Sequence, residues 1–159
     1  MSTNNPTRVG IAALSLSAVG LVGILSHESY SPKAYIPVPG DVPTIGYGTT
    51  AGVHLGDSIT PVKALQRAEA DISKFEGAVK ECVVVPLYQY EYDAYMSLSY
   101  NIGTHAFCHS SLVTKLNNKD YSGACSEILK WNKMKGKVLL GLTKRRQDEY
   151  RECTGDKLS

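Results

Sequence analysis

The sequence predicts a mainly helical α+β domain: an apolar amino-terminal helix, a small β-region, a long connecting helix and a helical lobe. Three observations carry this prediction. The run from Val9 to Ser26 has no ionisable side chain; the stretch from Tyr35 to Asp57 is dense in Pro, Gly, Thr and β-branched residues, which reads as short strands and turns; and apolar residues downstream recur at three- and four-residue steps, the period of an amphipathic helix. The chain has 159 residues, 43% of them apolar, with 17 basic and 15 acidic side chains. That is one ordinary domain, and it excludes a disordered, collagen-like or multi-domain protein.

The charges are unevenly distributed, since Arg8 is the single charged residue before His27. Eighteen residues at helical rise reach about 27 Å, near the lower limit for crossing a hydrocarbon core. Gly10, Ala12, Ala13, Ser15, Ser17, Ala18, Gly20, Gly23 and Ser26 dilute this run, adding little transfer energy and weakening a helix. Arg8 on its amino side and the absence of acids before Glu28 place the amino terminus in the cytoplasm and the domain outside. A cleaved signal peptide would need a small-x-small site, and Val22-Gly23-Ile24 and Leu25-Ser26-His27 are poor ones. A buried core helix is the plain alternative; an uncleaved, weak anchor is the favoured reading.

After the β-region, Thr60-Pro61 is a helix start, with Thr as N-cap and Pro at the first helical position. Val62, Leu65, Ala68, Ile72, Phe75 and Val79 mark one long amphipathic helix ending near Glu81. Beyond Pro86, Tyr92, Tyr95, Leu98 and Ile102 share a face, and Asn101-Ile102-Gly103 supplies a stop. Shorter helices are expected around Ser111 to Leu116, Tyr121 to Trp131 and Leu142 to Cys153, with a cleft where the two lobes meet.

Cys82, Cys108, Cys125 and Cys153 form an even set with no C-x-x-C pair and no His at zinc-finger spacing, so a metal site is not expected. In an exported domain they suit two disulfides, with three connectivities open. The net charge of +2 and pI near 8.3 say little. Lys130 to Arg146, however, holds seven basic residues and no acidic one. A polyanion would suit it, but a solvated helix face is the plainer account because Trp131 is its one aromatic, and no nucleic-acid partner is expected.

Glu28 is the first carboxylate in the chain and follows the apolar run directly. A carboxyl resting against nonpolar surface is suited to general-acid work near neutral pH. His27-Glu28-Ser29-Tyr30, Lys33-Ala34-Tyr35 and Pro43-Thr44-Ile45-Gly46-Tyr47-Gly48-Thr49 together resemble the catalytic stretch of T4-like phage lysozymes, glycoside hydrolase family 24. The likeness continues in Pro86-Leu87, Asp93-Ala94, Asn101-Ile102-Gly103, Ala106-Phe107-Cys108, Leu116-Asn117, Trp131-Asn132-Lys133 and Gly141 to Arg146, and covers nearly everything from Ser26 to Cys153. It implies a lysozyme-like fold. The apolar start resembles the signal-arrest-release segment of lambdoid phage endolysins: a weak, uncleaved anchor that holds the enzyme inactive in the host inner membrane and later leaves it to give active periplasmic enzyme. On this reading residues 1–26 are the anchor and 27–159 the muramidase domain.

The resemblance places Glu28 at the family's catalytic acid and Thr44 at its catalytic threonine. The position between them departs from the family pattern of Asp or Cys, because Pro37 and Val38 stand there and cannot accept a proton. The loop is one residue longer than in the family, and its one carboxylate is Asp41, in Pro39-Gly40-Asp41. Asp41 is assigned the second catalytic role, against the alternative of a plain turn aspartate. The implied reaction is hydrolysis of the β-1,4 bond between N-acetylmuramic acid and N-acetylglucosamine with inversion, the two carboxyls standing about 6.5 to 9.5 Å apart.

No metal or organic cofactor is called for. The resemblance implies bacterial peptidoglycan and, transiently, the host inner membrane as partners, and the protein is expected to be a monomer. Thr49 stands where the family often has His, which removes a structural polar partner. The cysteines look like a subgroup feature: Cys82 and Cys108 bracket the Pro86 to Gly103 helical region, and Cys125 and Cys153 lie on helices that would pack together. Bridges 82–108 and 125–153 are therefore expected. Two other functions compete: a lytic transglycosylase, which needs one acid and forms an anhydro-sugar, and a membrane-anchored wall-binding or lysis-regulating protein with a decayed site.

Overall fold

The computed structural model describes residues 6–156. Seven helices and two small antiparallel ribbons form it, a mainly helical α+β architecture of the predicted class. The described residues up to Leu21, together with those from Phe75 onward, make one compact unit, and Val22–Lys74 makes a second.

The second unit contains the end of α1 (Ala18–Ser26), strands β1 (Ser31–Tyr35) and β2 (Thr44–Gly46), and most of α2 (Pro61–Cys82). β1 and β2 pair antiparallel, Ser31 opposite Gly46 and Tyr35 opposite Thr44. Four steps along β1 thus face two along β2, so β1 bulges. Its other edge is used by the chain entering α2: Ile59 N–H donates to the Pro32 carbonyl at 2.9 Å and Ala34 N–H to that of Asp57 at 3.0 Å. Thr60 caps α2, its hydroxyl oxygen accepting from Lys63 N–H at 3.4 Å. The buried face of α2 runs through Ala64, Ala68, Ile72 and Val79, while Val62 and Leu65, expected on that face, are exposed. The small residue decides this, because β2 comes so close that a Cβ on Gly46 would lie 2.9 Å from that of Ala64.

In the first unit α3 (Gln89–Ile102) is the buried centre. Tyr92, Tyr95, Met96 and Leu98 are fully enclosed, and Gly103, at φ 88°, ends the helix. Helices α4 (Thr104–Cys108), α5 (Ser111–Asn117) and α6 (Tyr121–Ile128) follow. Next come an exposed hairpin, β3 (Lys133–Met134) and β4 (Lys137–Val138), and finally α7 (Leu140–Cys153), which packs along α3. The hairpin and α4 have no counterpart in the sequence reading; each is too short for its period to repeat often enough to show.

A buried charge cluster joins α7 to α3. Glu149 accepts from the Ser97 hydroxyl at 2.7 Å and from Arg145 Nε at 3.2 Å. The Arg146 guanidinium closes on the same carboxylate, its Nε 2.8 Å from Oε2. Burial pushes the Glu149 carboxyl up and the Arg146 guanidinium down from their ordinary values, yet each charge is compensated by the other. Disulfides link Cys82 to Cys108 and Cys125 to Cys153.

The amino-terminal run is not the single helix expected from Val9 to Ser26. Val9 pairs with Leu87 in an antiparallel bridge, Ile11–Ala13 form a 3₁₀ turn, and α1 occupies only the last nine residues. No helix among the described residues is long and apolar enough to cross a membrane. The physical reason is a set of carboxylates that capture the segment. Leu16 N–H donates to Glu76 at 2.7 Å, and Asp93 accepts from Ser17 N–H at 3.0 Å and from the Ser17 hydroxyl at 2.5 Å. Arg8 meets Glu91 at 2.7 Å, its guanidinium 3.6 Å from the Tyr121 ring centre. Gly20 is required here, since a Cβ would fall 2.8 Å from the Asp93 carboxyl carbon.

Two outcomes follow from this packing. Replacing Cys125 and Cys153 by Ser opens a loop spanning 28 residues in the unfolded chain, and guanidinium titration should show a loss of about 3 to 4 kcal/mol. Glu152, raised to about 7 by burial and then by the charges of Asp93 and Glu149, is neutral in the folded state at acidic pH. Its contribution is therefore present below the ordinary carboxyl pKa and lost as pH rises through about 7. Thermal unfolding of Glu152→Gln should match the parent near pH 4 and exceed it by several degrees at pH 8; parallel curves across that window would disprove the assignment.

Candidate active site

All three proposed catalytic residues, Glu28, Asp41 and Thr44, belong to the second unit. Glu28 sits in the turn that ends α1: His27 N–H donates to the Ile24 carbonyl and Glu28 N–H to that of Leu25, each at 3.1 Å. Glu28 is half-buried. Ser31, three residues on, faces Gly46, so the ribbon ties the level of Glu28 to the Thr44-Ile45-Gly46 strand.

Asp41 and Thr44 lie at the other end of the ribbon, in and just after the loop joining β1 to β2. Val38 to Asp41 form a tight turn, closed by Asp41 N–H donating to the Val38 carbonyl at 2.9 Å, with Gly40 at φ 89°. The Asp41 side chain is exposed, and its Oδ1 accepts from Val42 N–H at 2.9 Å. The buried Thr44 donates its hydroxyl proton to the Val42 carbonyl at 3.2 Å. Asp41 and Thr44 thus grip the same residue from its two peptide groups, and the Thr44 proton goes to backbone rather than to Asp41. Pro37 and Val38, at the departed family position, are exposed.

The Thr-Ile-Gly-Tyr-Gly-Thr stretch is held from beneath by contacts the sequence reading did not assign. Thr49 was expected to mark a lost polar partner; instead it is 3% exposed and donates its hydroxyl to Asp71 on α2 at 2.7 Å. Ile45 and Thr49 exchange both backbone hydrogen bonds around Tyr47-Gly48, at 2.9 and 3.1 Å. Arg67 donates to the Ala51 carbonyl, and the Tyr30 ring lies 5.3 Å from that of Tyr47. A signal for Asp71 was present: it is an acid on the helix face that carries Ala64, Ala68 and Ile72. No group of His, Cys, Asp or Glu among the described residues is placed to hold a metal ion.

Comparison with known proteins is consistent along nearly the whole chain. The sequence profile of the phage lysozyme family matches residues 25–149. An endolysin of Acyrthosiphon pisum secondary endosymbiont phage 1 is 44% identical over 140 residues, covering 86% of this chain and 95% of that protein. A SAR-endolysin of Pseudomonas phage phiKMV is 36% identical over 155 residues, covering 94% and 92%. Among solved structures, the endolysin from Escherichia coli O157:H7 phage FAHEc1 superposes with a TM-score of 0.82 at 32% identity, covering 96% of this chain and 99% of that one. With a lysozyme-like fold, the Glu28 turn, the Thr44 to Thr49 segment and matches of this extent, the chain belongs to the phage lysozyme family and is an endolysin-type lysozyme that acts in lysis.

Proposed function

We propose that this lysozyme hydrolyses the β-1,4 bond between N-acetylmuramic acid and N-acetylglucosamine in host peptidoglycan, with Glu28 as general acid and Asp41, beside Thr44, as general base. The observation that carries it is the ribbon itself. Glu28 stands in the turn just before β1, and Asp41 and Thr44 stand at the loop between β1 and β2, both gripping Val42. In the reaction the protonated Glu28 gives its proton to the leaving oxygen. Asp41 takes a proton from the water that attacks the opposite face of the sugar, and each cleaved bond gains one water. No metal or organic cofactor enters this scheme.

Residues 1–26 are proposed as a releasable anchor and 27–159 as the muramidase domain, inactive in the host inner membrane and active, as a monomer, in the periplasm. Relatives that are SAR-endolysins support this, as do the absence of charge from Val9 to Ser26 and the hydrogen bonding of the docked segment. In a continuous helix the N–H groups of Leu16 and Ser17 would donate four residues back. In the folded enzyme they donate to Glu76 and Asp93. The spanning and docked states are thus alternatives for the same donors, and the carboxylates favour the docked one.

Glu28→Gln is expected to lower the rate of wall clearing by about a thousandfold and Asp41→Asn by about a hundredfold. Parent-like clearing by Glu28→Gln would end the assignment, and products lacking the added water would identify a transglycosylase instead. Asp93→Ala, which removes the acceptor of Ser17, should leave more protein in the membrane pellet on fractionation of expressing cells, and should cost the soluble form about 3 kcal/mol. An unchanged pellet fraction would sink the docking account.

A further inference from the structure

The basic run from Lys130 to Arg146 is divided by the fold. Arg145 and Arg146 are buried against Glu149, and Lys130 is paired with Glu127 at 2.7 Å. Lys133, Lys135, Lys137 and Lys144 remain exposed, and no ion pair engages them among the described residues. Three of these four ride on the β3–β4 hairpin, whose Lys135-Gly136 turn has φ of 48° and 78°, the type I′ pattern.

The same surface carries large apolar side chains. Lys133 faces Val138 and Met134 faces Lys137 across the ribbon, so each face of the hairpin sets a lysine beside an apolar group. All four strand residues are exposed; Met134 is 57% and Leu140, which opens α7, 87% accessible. Lys144 stands one helical turn after Leu140, on the same face of α7.

We propose that this hairpin and the first turn of α7 form an interfacial docking surface for an anionic phospholipid leaflet. Ammonium groups meet headgroup phosphates while Met134, Val138 and Leu140 enter the acyl boundary. A hydrated wall polymer would use the lysines and leave the apolar groups in water; the intermixing of the two kinds of side chain on one protrusion is what favours lipid. The surface includes none of the proposed catalytic residues and none of the amino-terminal run, and would keep the released enzyme near the membrane surface.

Co-sedimentation of the full-length oxidised protein with phosphatidylcholine vesicles, with and without phosphatidylglycerol, tests it. Binding is expected to require phosphatidylglycerol and to fall with salt. Lys133→Glu/Lys135→Glu/Lys137→Glu should weaken it about a hundredfold and Met134→Ser/Leu140→Ser about tenfold. Both variants should cleave soluble glycan chains at the parent rate, which separates failure of this surface from failure of the enzymatic reading. Vesicle binding unaltered by the charge reversal would overturn the proposal and assign membrane contact to Val9 to Ser26. Binding to purified wall sacculi that needs the lysines but ignores Met134→Ser/Leu140→Ser, with no affinity for vesicles, would overturn it in favour of a wall-polymer site.

Discussion

Capture of the amino-terminal segment by carboxylates is the interaction on which the arrangement of the chain depends. Only a 3₁₀ turn at Ile11–Ala13 interrupts the extended chain before α1, so the peptide donors of Leu16 and Ser17 need acceptors from elsewhere. Glu76 and Asp93 supply them, and Glu91 holds Arg8 while also accepting Tyr88 N–H at the start of α3. Ser17, held by Asp93, stands just before the start of α1 at Ala18; α1 ends at Ser26, and the turn that carries Glu28 follows at once. Gly20 lets Asp93 approach α1, so one of the residues that dilutes the segment's hydrophobicity is also what lets it dock.

A second constraint is the burial of Glu149 with Arg145 and Arg146 between α7 and α3. Leaving any one of these charges without its counterpart inside the protein would be strongly unfavourable. The cluster therefore holds the last helix in register against the central one, and the Cys125–Cys153 bridge ties the end of α7 to α6. It also divides the basic run. Two arginines serve the interior, and the lysines are left for the surface. Charge counted along the chain cannot show this, because buried and solvated cations look alike in a sequence.

Much of the fold was legible. Thr60-Pro61 marked the start of α2, Gly103 the end of α3, and the three- and four-residue steps found Tyr92, Tyr95 and Leu98 in the core. These features are local: a cap, a φ above zero and a helical period act within a few residues. What escaped was set by distant partners. Val62 and Leu65 fit the period yet face solvent, because the approach of Gly46 turns Ala64 inward. Thr49 looked like a lost partner and proved to be a donor to Asp71, 22 residues away.

By itself the sequence determined the fold class, the uncharged segment abutting Glu28 and the motif from Thr44 to Thr49, since each is written in residue type and spacing. Tertiary structure decided what that uncharged segment does in the folded protein. The run reads as one marginal helix, but carboxylates on α2 and α3, some 60 to 76 residues distant, take its backbone donors and divide it into a bridge, a turn and a short helix. A marginal helix yields to such partners because its own propensity is weak, whereas charged acceptors satisfy donors that would otherwise stay unpaired.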